Sequence, residues 1–225
     1  MKYTLALDVY GTLIDTSGVM VTIEKILGDK AKDFSDTWRD KQLEYSFRRG
    51  QMNLFVDFSV CTKDALACSC LLHKVELSSD QNAELMQAYT VLPVFPYVVT
   101  ALQNLKEAGH RLCAFSNGSK AAVSNLLRNA KIIDQFDEVI SVESVGTFKP
   151  SPKVYAYFNE STNSTPSDSW LISGNSFDVM GALNYGMRSA WVRRSSSAIF
   201  DPWGMEPTVV VGDLNGLAAE LRTVG

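Results

Sequence analysis

The stretch LDVYGTL spans residues 7–13 and continues an apolar, β-favouring run at residues 3–7. A charged residue, Asp8, therefore ends a segment that is predicted to be a buried strand. Gly11 and Thr12 predict a turn after it, since glycine permits a tight bend of the backbone. In open parallel sheets, ligands bind outside the carboxyl ends of the strands. The stretch thus predicts a functional carboxylate at such an edge.

Strand-like and helical segments alternate through most of the chain, which indicates a parallel α/β sheet. The strand-like runs are residues 3–7, 111–115, 138–141, 169–173, 189–192 and 208–211. Helical patterns lie at residues 97–108, 120–129, 152–159 and 178–185. Several of the strands lack period-two alternation, as expected when helices cover both faces of the sheet.

The segment of residues 15–92 breaks this alternation, because it contains only helical patterns, at residues 19–27, 31–48, 53–72 and 79–91. Pro93 and Pro96 mark the return to alternating strands and helices. The sequence therefore predicts an α/β core domain of residues 1–14 and 93–225. An all-helical cap domain of residues 15–92 is inserted after the first strand.

Composition and charge exclude several classes of partner. The net charge of −4 gives no general attraction to nucleic acid or to anionic membranes. The longest apolar run, residues 91–99, contains prolines and is too short to span a bilayer. No apolar signal-peptide segment follows Met1, so we expect a cytoplasmic protein. Cys68-Ser-Cys70 lacks the two-residue spacing of zinc and redox motifs.

Polar side chains follow four consecutive strands of the predicted sheet. They are Asp8 after the first strand, Ser116 and Asn117 after the second, Lys149 after the third, and Ser173, Asn175 and Asp178 after the fourth. Each alone has an ordinary explanation, such as a helix N-cap or a turn. Together they predict one site, because the carboxyl ends of parallel strands meet at one edge.

In this order the clusters resemble the four motifs of the haloacid dehalogenase superfamily. The matching segments are Asp8-x-x-Gly11-Thr12-Leu13, Ser116-Asn117, Lys149-Pro150 and Gly174-x-x-x-Asp178. The resemblance covers essentially the whole chain and implies a Rossmann-like core, with the helical insertion as that superfamily's cap domain. Most members of the superfamily are magnesium-dependent phosphatases.

Two residues depart from the phosphatase pattern. Tyr10 stands where phosphatases have an Asp that acts as general acid, and Gly174 stands where they have a metal-binding Asp. A hard divalent ion needs several oxygen ligands, preferably anionic ones, so we expect no metal and no other cofactor. A phosphatase in which Asp178 remains a metal ligand is the alternative.

The same departures resemble the L-2-haloacid dehalogenase branch, as do Trp38-Arg39 and the following Lys41-Gln-Leu-Glu-Tyr45. The resemblance implies cofactor-free hydrolysis of a small-molecule substrate, a short L-2-haloalkanoic acid, to a D-2-hydroxy acid by a homodimer. Asp8 would attack the halogen-bearing carbon and form an ester that water then hydrolyses. A halide needs no proton to leave, so Tyr10 is tolerable in place of a general acid.

The resemblance also implies a role for each site residue. Arg39, Asn117 and Phe177 would cradle the halide, and Ser116 with main-chain N–H groups near Tyr10 would hold the substrate carboxylate. Lys149 would keep Asp8 ionised. The residues expected to orient Asp8, Lys149 and water are Thr12, Tyr155, Ser173, Asn175 and Asp178. Asp178, or a water that it polarises, is the candidate base. Leu43 and Phe58 would face the cleft from the cap.

Some patterns support a simpler interpretation. Arg39 lies in a charge-rich helical run, which by itself favours an exposed helix face. The branch commonly has Gln where this chain has Asp40, and Trp where it has Phe177. Both differences bear on substrate range, and displacement at another 2-substituted carboxylate remains an alternative reaction.

Overall fold

A computed structural model describes residues 1–223. Within these residues one sheet is formed by β1 (Thr4–Asp8), β2 (Arg111–Ser116), β3 (Glu138–Ser141), β4 (Ser169–Ser173), β5 (Arg188–Val192) and β6 (Val209–Val211). The strand order is β3-β2-β1-β4-β5-β6 and every pairing is parallel. The chain extends the sheet from β1 to one side and then, with β4, to the other. The ligand crevice of such a sheet lies at this reversal, between β1 and β4.

The segment between β1 and β2 begins with an all-helical cap, as predicted. Its helices are α1 (Met20–Leu27), α2 (Ala31–Gln51), α3 (Phe58–His73) and α4 (Ser79–Ala88). The indole Nε1 of Trp38 on α2 donates to the main-chain oxygen of Thr62 on α3 at 2.9 Å. Because Trp38 is fully buried, this bond satisfies a polar atom that would otherwise be costly to bury.

Three predicted helix boundaries in the cap were wrong. The second helix ends at Gln51 rather than at residue 48. The third helix begins at Phe58 rather than at residue 53, because Asn53 has a left-handed φ of 56°. The Asp57 carboxylate caps the helix start by accepting from the Ser59 N–H at 2.8 Å. The fourth helix ends at Ala88 rather than at residue 91.

Helices cover both faces of the sheet. They are α5 (Val98–Glu107), α6 (Lys120–Asn129), α7 (Pro152–Thr162), α8 (Ser176–Tyr185) and α9 (Leu217–Thr223). Leu5 and Leu7 of β1 belong to the core cluster that includes α5, α6 and α9, and Ala6 belongs to the cluster that includes α7. Successive strand residues point to opposite faces, so two covered faces explain the continuous apolar run. Among residues 1–223, no helix is long and apolar enough to cross a membrane.

Candidate active site

Asp8 ends β1, and one of its carboxylate oxygens is held by three donors. Its Oδ2 accepts from Thr12 Oγ1 at 2.8 Å, Ser173 Oγ at 3.0 Å and Asn175 Nδ2 at 2.8 Å. The hydroxyl of Thr12 accepts from the Gly174 N–H, and that of Ser173 accepts from the Asn175 N–H. Each hydroxyl therefore has its proton directed at Asp8. This network makes the orientation of the carboxylate rigid.

Lys149 is the buried cation of the site and is only 1% exposed. Its Nζ donates to Asp8 Oδ1 at 3.1 Å, to Asp178 Oδ2 at 2.7 Å and to the Phe115 main-chain oxygen at 2.9 Å. Burial opposes the charge, but the Asp178 and Asp8 carboxylates outweigh it and raise the pKa of Lys149. The ammonium thus stays charged between two carboxylates, with its three protons satisfied.

Asp178 lies in the first turn of α8 and is fully buried. Burial raises the pKa of Asp178 to about 6, against the opposing effect of Lys149. Its Oδ1 accepts from the Tyr155 hydroxyl at 2.8 Å. Tyr155 reaches it because residue 181 is glycine: a Cβ at Gly181 would lie 2.3 Å from that hydroxyl oxygen. Asp178 is thus a carboxyl group that changes protonation near neutral pH.

The residues beside Asp8 do not fit the magnesium site that the superfamily implies. Asn175 Nδ2 donates both to Asp8 Oδ2 and to the Tyr10 main-chain oxygen at 3.0 Å. The amide therefore occupies two oxygens that a hard cation would need as ligands. A Cβ at Gly174 would lie 2.6 Å from the Gly11 carbonyl oxygen, so this backbone leaves no space for an aspartate there.

A cavity of about 300 Å³ separates cap from core beside the turn after β1. Tyr10, Arg39 and Phe58 line it, so the structure brings these three predicted residues together. Arg39 is half-buried rather than solvated, and its Nη1 makes a long hydrogen bond of 3.5 Å to Gln42 Oε1. Asp40 is exposed, and no ion pair within residues 1–223 joins it to Arg39.

Two predicted residues follow β2. Ser116 is buried, and its Oγ accepts from the Gly118 N–H at 3.1 Å. Asn117 Oδ1 accepts from the Lys149 N–H at 2.9 Å. Because the carbonyl end of this amide is used by the main chain, its NH₂ end is the part that can donate to a ligand.

The remaining two predicted residues lie elsewhere at the boundary of cap and core. Phe177, on α8, is stacked edge-on against Phe47 of α2, with ring centroids 5.1 Å apart. It lines a second cavity, of about 660 Å³, which Lys149 also borders. Leu43 is half-buried on α2 and lines neither cavity.

The arrangement of residues matches that of known proteins. A family model described as haloacid dehalogenase-like hydrolase matches residues 5–192. The chain belongs to this family. The hydrolase is 34% identical to haloacetate dehalogenase H-2 of a Moraxella species, over 92% of each chain. It is 35% identical to (S)-2-haloacid dehalogenase H-109 of Pseudomonas putida, over 95% of each.

A solved structure resembles the whole hydrolase. It is L-2-haloacid dehalogenase from Xanthobacter autotrophicus with chloropropionic acid covalently bound. The TM-score is 0.90 at 31% identity, and the alignment covers 100% of both chains. The parallel-sheet core with a helical cap is therefore shared along the full length of this chain.

The structure of the hydrolase adds a residue that sequence reasoning missed. Arg194, after β5, donates to the main-chain oxygens of Gly11 at 3.2 Å and Thr12 at 2.6 Å. Its guanidinium lies over the Phe95 ring, 3.7 Å from the centroid. Arg194 therefore braces the turn that follows Asp8. No local signal points to it, because the contact spans 182 residues.

At two further residues, the residue type or the spacing in the sequence does indicate a contact. Gly181 lies inside a helical pattern, where glycine costs about 1 kcal/mol relative to alanine. Such a glycine indicates a close approach, here by Tyr155. Gln42 lies three residues after Arg39, a spacing at which helical side chains meet.

Proposed function

We propose that the chain hydrolyses short L-2-haloalkanoic acids to D-2-hydroxy acids, without a metal, through an ester on Asp8. The observation that carries the proposal is the pattern of hydrogen bonds to the Asp8 carboxylate. One oxygen is held by three donors and the other contacts a lysine, while an amide takes the place of a cation. The similarity to several (S)-2-haloacid dehalogenases supports the same reaction.

The first step is an in-line displacement at carbon 2. Asp8 Oδ1 accepts one hydrogen bond and Oδ2 accepts three, so Oδ1 is the better nucleophile. A bond forms between Oδ1 and carbon 2, and the carbon–halogen bond breaks with its electron pair leaving on the halide. Attack opposite the leaving group inverts the configuration, from L to D. Arg39 and the Asn117 amide provide donors for the halide.

The second step is attack of water on the carboxyl carbon of the ester. Oδ2 is then the carbonyl oxygen, and negative charge develops on it. Thr12, Ser173 and Asn175 already donate to this atom and form its oxyanion hole. Asp178, oriented by Tyr155 and Lys149, takes the proton of the water directly or through a second water. The bond between Oδ1 and the Asp8 carboxyl carbon then breaks, and the leaving oxygen takes the proton back from Asp178 to give the hydroxy acid. The new carboxyl group of Asp8 loses its proton to solvent, which restores the carboxylate.

The magnesium-dependent phosphatase is a weaker candidate. Burial raises the pKa of Tyr10 to about 12, so its phenol is a poor acid for a leaving alkoxide. A halide leaves without a proton and has no such requirement. Together with the crowding at Gly174, this favours displacement of a halide over transfer of a phosphoryl group.

Halide release from L- and D-2-chloropropionate in the presence of a chelator tests the proposal. We expect chloride from the L-form alone, with D-lactate as the product. The absence of release from any L-2-haloacid, together with magnesium-dependent hydrolysis of a phosphate ester, would establish the phosphatase instead. Trapping the ester and weighing the protein by mass spectrometry distinguishes a 2-haloacid from another 2-substituted carboxylate.

We further propose cytoplasmic location, a homodimer, and domain boundaries after residues 14 and 92. The four cysteines, Cys61, Cys68, Cys70 and Cys113, are free thiols, which suits a reducing compartment. Light scattering after size exclusion tests the dimer, which the similarity to the L-2-haloacid dehalogenase branch implies. Limited proteolysis should cut near residues 14 and 92 if these are the boundaries.

A further inference from the structure

Gln42 is a fully buried polar side chain in the cap, one helical turn after Arg39. Its Oε1 accepts from Arg39 Nη1 at 3.5 Å, and its Nε2 donates to the Tyr89 hydroxyl at 2.9 Å. A buried amide without partners costs free energy, so both of its ends are expected to be used. Here one end contacts the guanidinium that lines the cavity of about 300 Å³.

Tyr89 anchors the end of the Gln42 amide that lies away from Arg39. Its ring packs edge-on against Trp38, with centroids 5.0 Å apart, and Trp38 is itself anchored on the main chain of Thr62. The tyrosine hydroxyl therefore has a fixed position. The guanidinium of Arg39 can only donate, so the carbonyl end of Gln42 must face it, and Nε2 then donates to the tyrosine hydroxyl.

The neutrality of this partner distinguishes Arg39 from Lys149, the buried cation of the site, which lies between two carboxylates. Within residues 1–223, no carboxylate lies within ion-pair distance of Arg39. Asp57 also lines the cavity, but its carboxylate accepts from the Ser59 N–H at the start of α3. A guanidinium held by a neutral acceptor keeps its whole charge for an anion that enters the cavity.

We propose that Gln42, oriented by Tyr89, is a positioning residue that aims the Arg39 guanidinium at the departing halide without neutralising it. This inference rests on the proposed function. It assigns Gln42 a task that a carboxylate of the same shape could not perform, because a carboxylate would compete with the halide for Arg39.

Gln42→Glu tests the inference, with Gln51→Glu as the matched control. Gln51 lies on the same helix as Gln42, about 14 Å further along its axis at 1.5 Å per residue, and is exposed. The first measurement is bromide binding to the resting enzyme, by line broadening of the ⁸¹Br NMR signal. The second is kcat and KM for halide release from L-2-chloropropionate.

For Gln42→Glu we expect bromide binding and kcat both to fall about tenfold or more. The introduced carboxylate would pair with Arg39 and offset the charge that attracts the halide. KM should change much less, by about threefold at most, because carbon-bound chlorine carries little charge in the ground state. Gln51→Glu should stay within about twofold of the wild type in every measurement.

Tyr89→Phe keeps the ring against Trp38 and removes only the hydroxyl. If Gln42→Glu fails to fold, this second variant tests whether the orientation of Gln42 matters to Arg39. We expect kcat to fall about threefold to tenfold with weakened bromide binding. Wild-type bromide binding in both variants, or no bromide binding by the wild type, would overturn the inference. Failure of the wild type to release halide would instead overturn the proposed function, and the bromide comparison would still judge Gln42.

Discussion

The core and the cap each place one cation at the site, and the two are treated in opposite ways. Lys149 is buried between two carboxylates, at 3.1 and 2.7 Å. Arg39 is half-buried in a cavity wall and contacts a neutral amide. Burying an ion is costly unless it is paired and hydrogen-bonded, so the lysine needs its partners. The arginine keeps some contact with solvent and can remain without a counter-ion.

This difference separates two tasks. The charge of Lys149 is used within the protein, where it holds Asp8 and Asp178 in place. The charge of Arg39 is left for an incoming or departing anion. We therefore expect substitutions at Lys149 to affect both turnover and stability, and substitutions at Arg39 to affect turnover with little effect on stability.

The largest effect is expected for Asp8→Asn. The amide is nearly isosteric, so the fold should persist, but it is a far weaker nucleophile than a carboxylate. Turnover should fall on the order of 10³-fold or more. Chloride release together with far-ultraviolet circular dichroism measures both properties. Substantial activity in this variant would show that Asp8 is not the nucleophile.

Lys149→Met should cause the largest loss of stability. It leaves the Asp8 and Asp178 carboxylates close together and without their cation, which costs about 3–5 kcal/mol of unfolding free energy. Urea unfolding at pH 7 measures this loss. The loss should shrink at pH 5, where Asp178 can take up a proton.

Arg39→Met makes the same change in the cap and serves as the control. It should lower the unfolding free energy by less than about 1 kcal/mol, because no carboxylate is left unpaired. Its kcat should nevertheless fall, since the halide loses a donor. Equal losses of stability for Lys149→Met and Arg39→Met would refute the contrast between the two cations.

Gly174→Ala tests how tightly the backbone after β4 packs against the turn after β1. The added Cβ would lie 2.6 Å from the Gly11 carbonyl oxygen, so the turn that carries Tyr10 and Thr12 must shift. We expect a loss of about 1–3 kcal/mol in urea unfolding and a decrease in turnover. Gly212→Ala is the control, since a Cβ there meets nothing within 4 Å. An unchanged stability for Gly174→Ala would contradict the crowding at this position.

The residues around Asp8 could be predicted from the sequence, whereas those around Arg39 could be predicted only in part, for a physical reason. Strand ends are recognised by local apolar patterns, and topology then brings Asp8, Ser173 and Asp178 to one edge. No such rule places Tyr89 beside Gln42, because the packing of α2 against the rest of the cap depends on side-chain shape. Arg194 could not be predicted either, because the main-chain oxygens that it contacts are common to every residue.

The remaining predictions concern pH. Because burial raises the pKa of Asp178 to about 6, this carboxyl is ionised at pH 7 and protonated at pH 5. Ester hydrolysis needs the ionised form, so kcat should fall about tenfold per pH unit below about 6. The folded state holds this proton more tightly than the unfolded chain does, so Asp178 itself favours folding as the pH falls. Loss of activity at pH 5 should therefore precede any loss of circular dichroism signal.

Tyr155→Phe sharpens the assignment of this acid limb. The tyrosine hydroxyl donates to Asp178 Oδ1 and thereby lowers the pKa of that carboxyl against the effect of burial. Without the hydroxyl, the pKa of Asp178 should rise, and the acid limb of the kcat profile should move to higher pH. A matched change at Tyr10, Tyr10→Phe, should leave the limb where it is, because that hydroxyl makes no contact with Asp178 within the described chain. If both variants keep the wild-type profile, the group that titrates near pH 6 is not Asp178, and another base must activate the water.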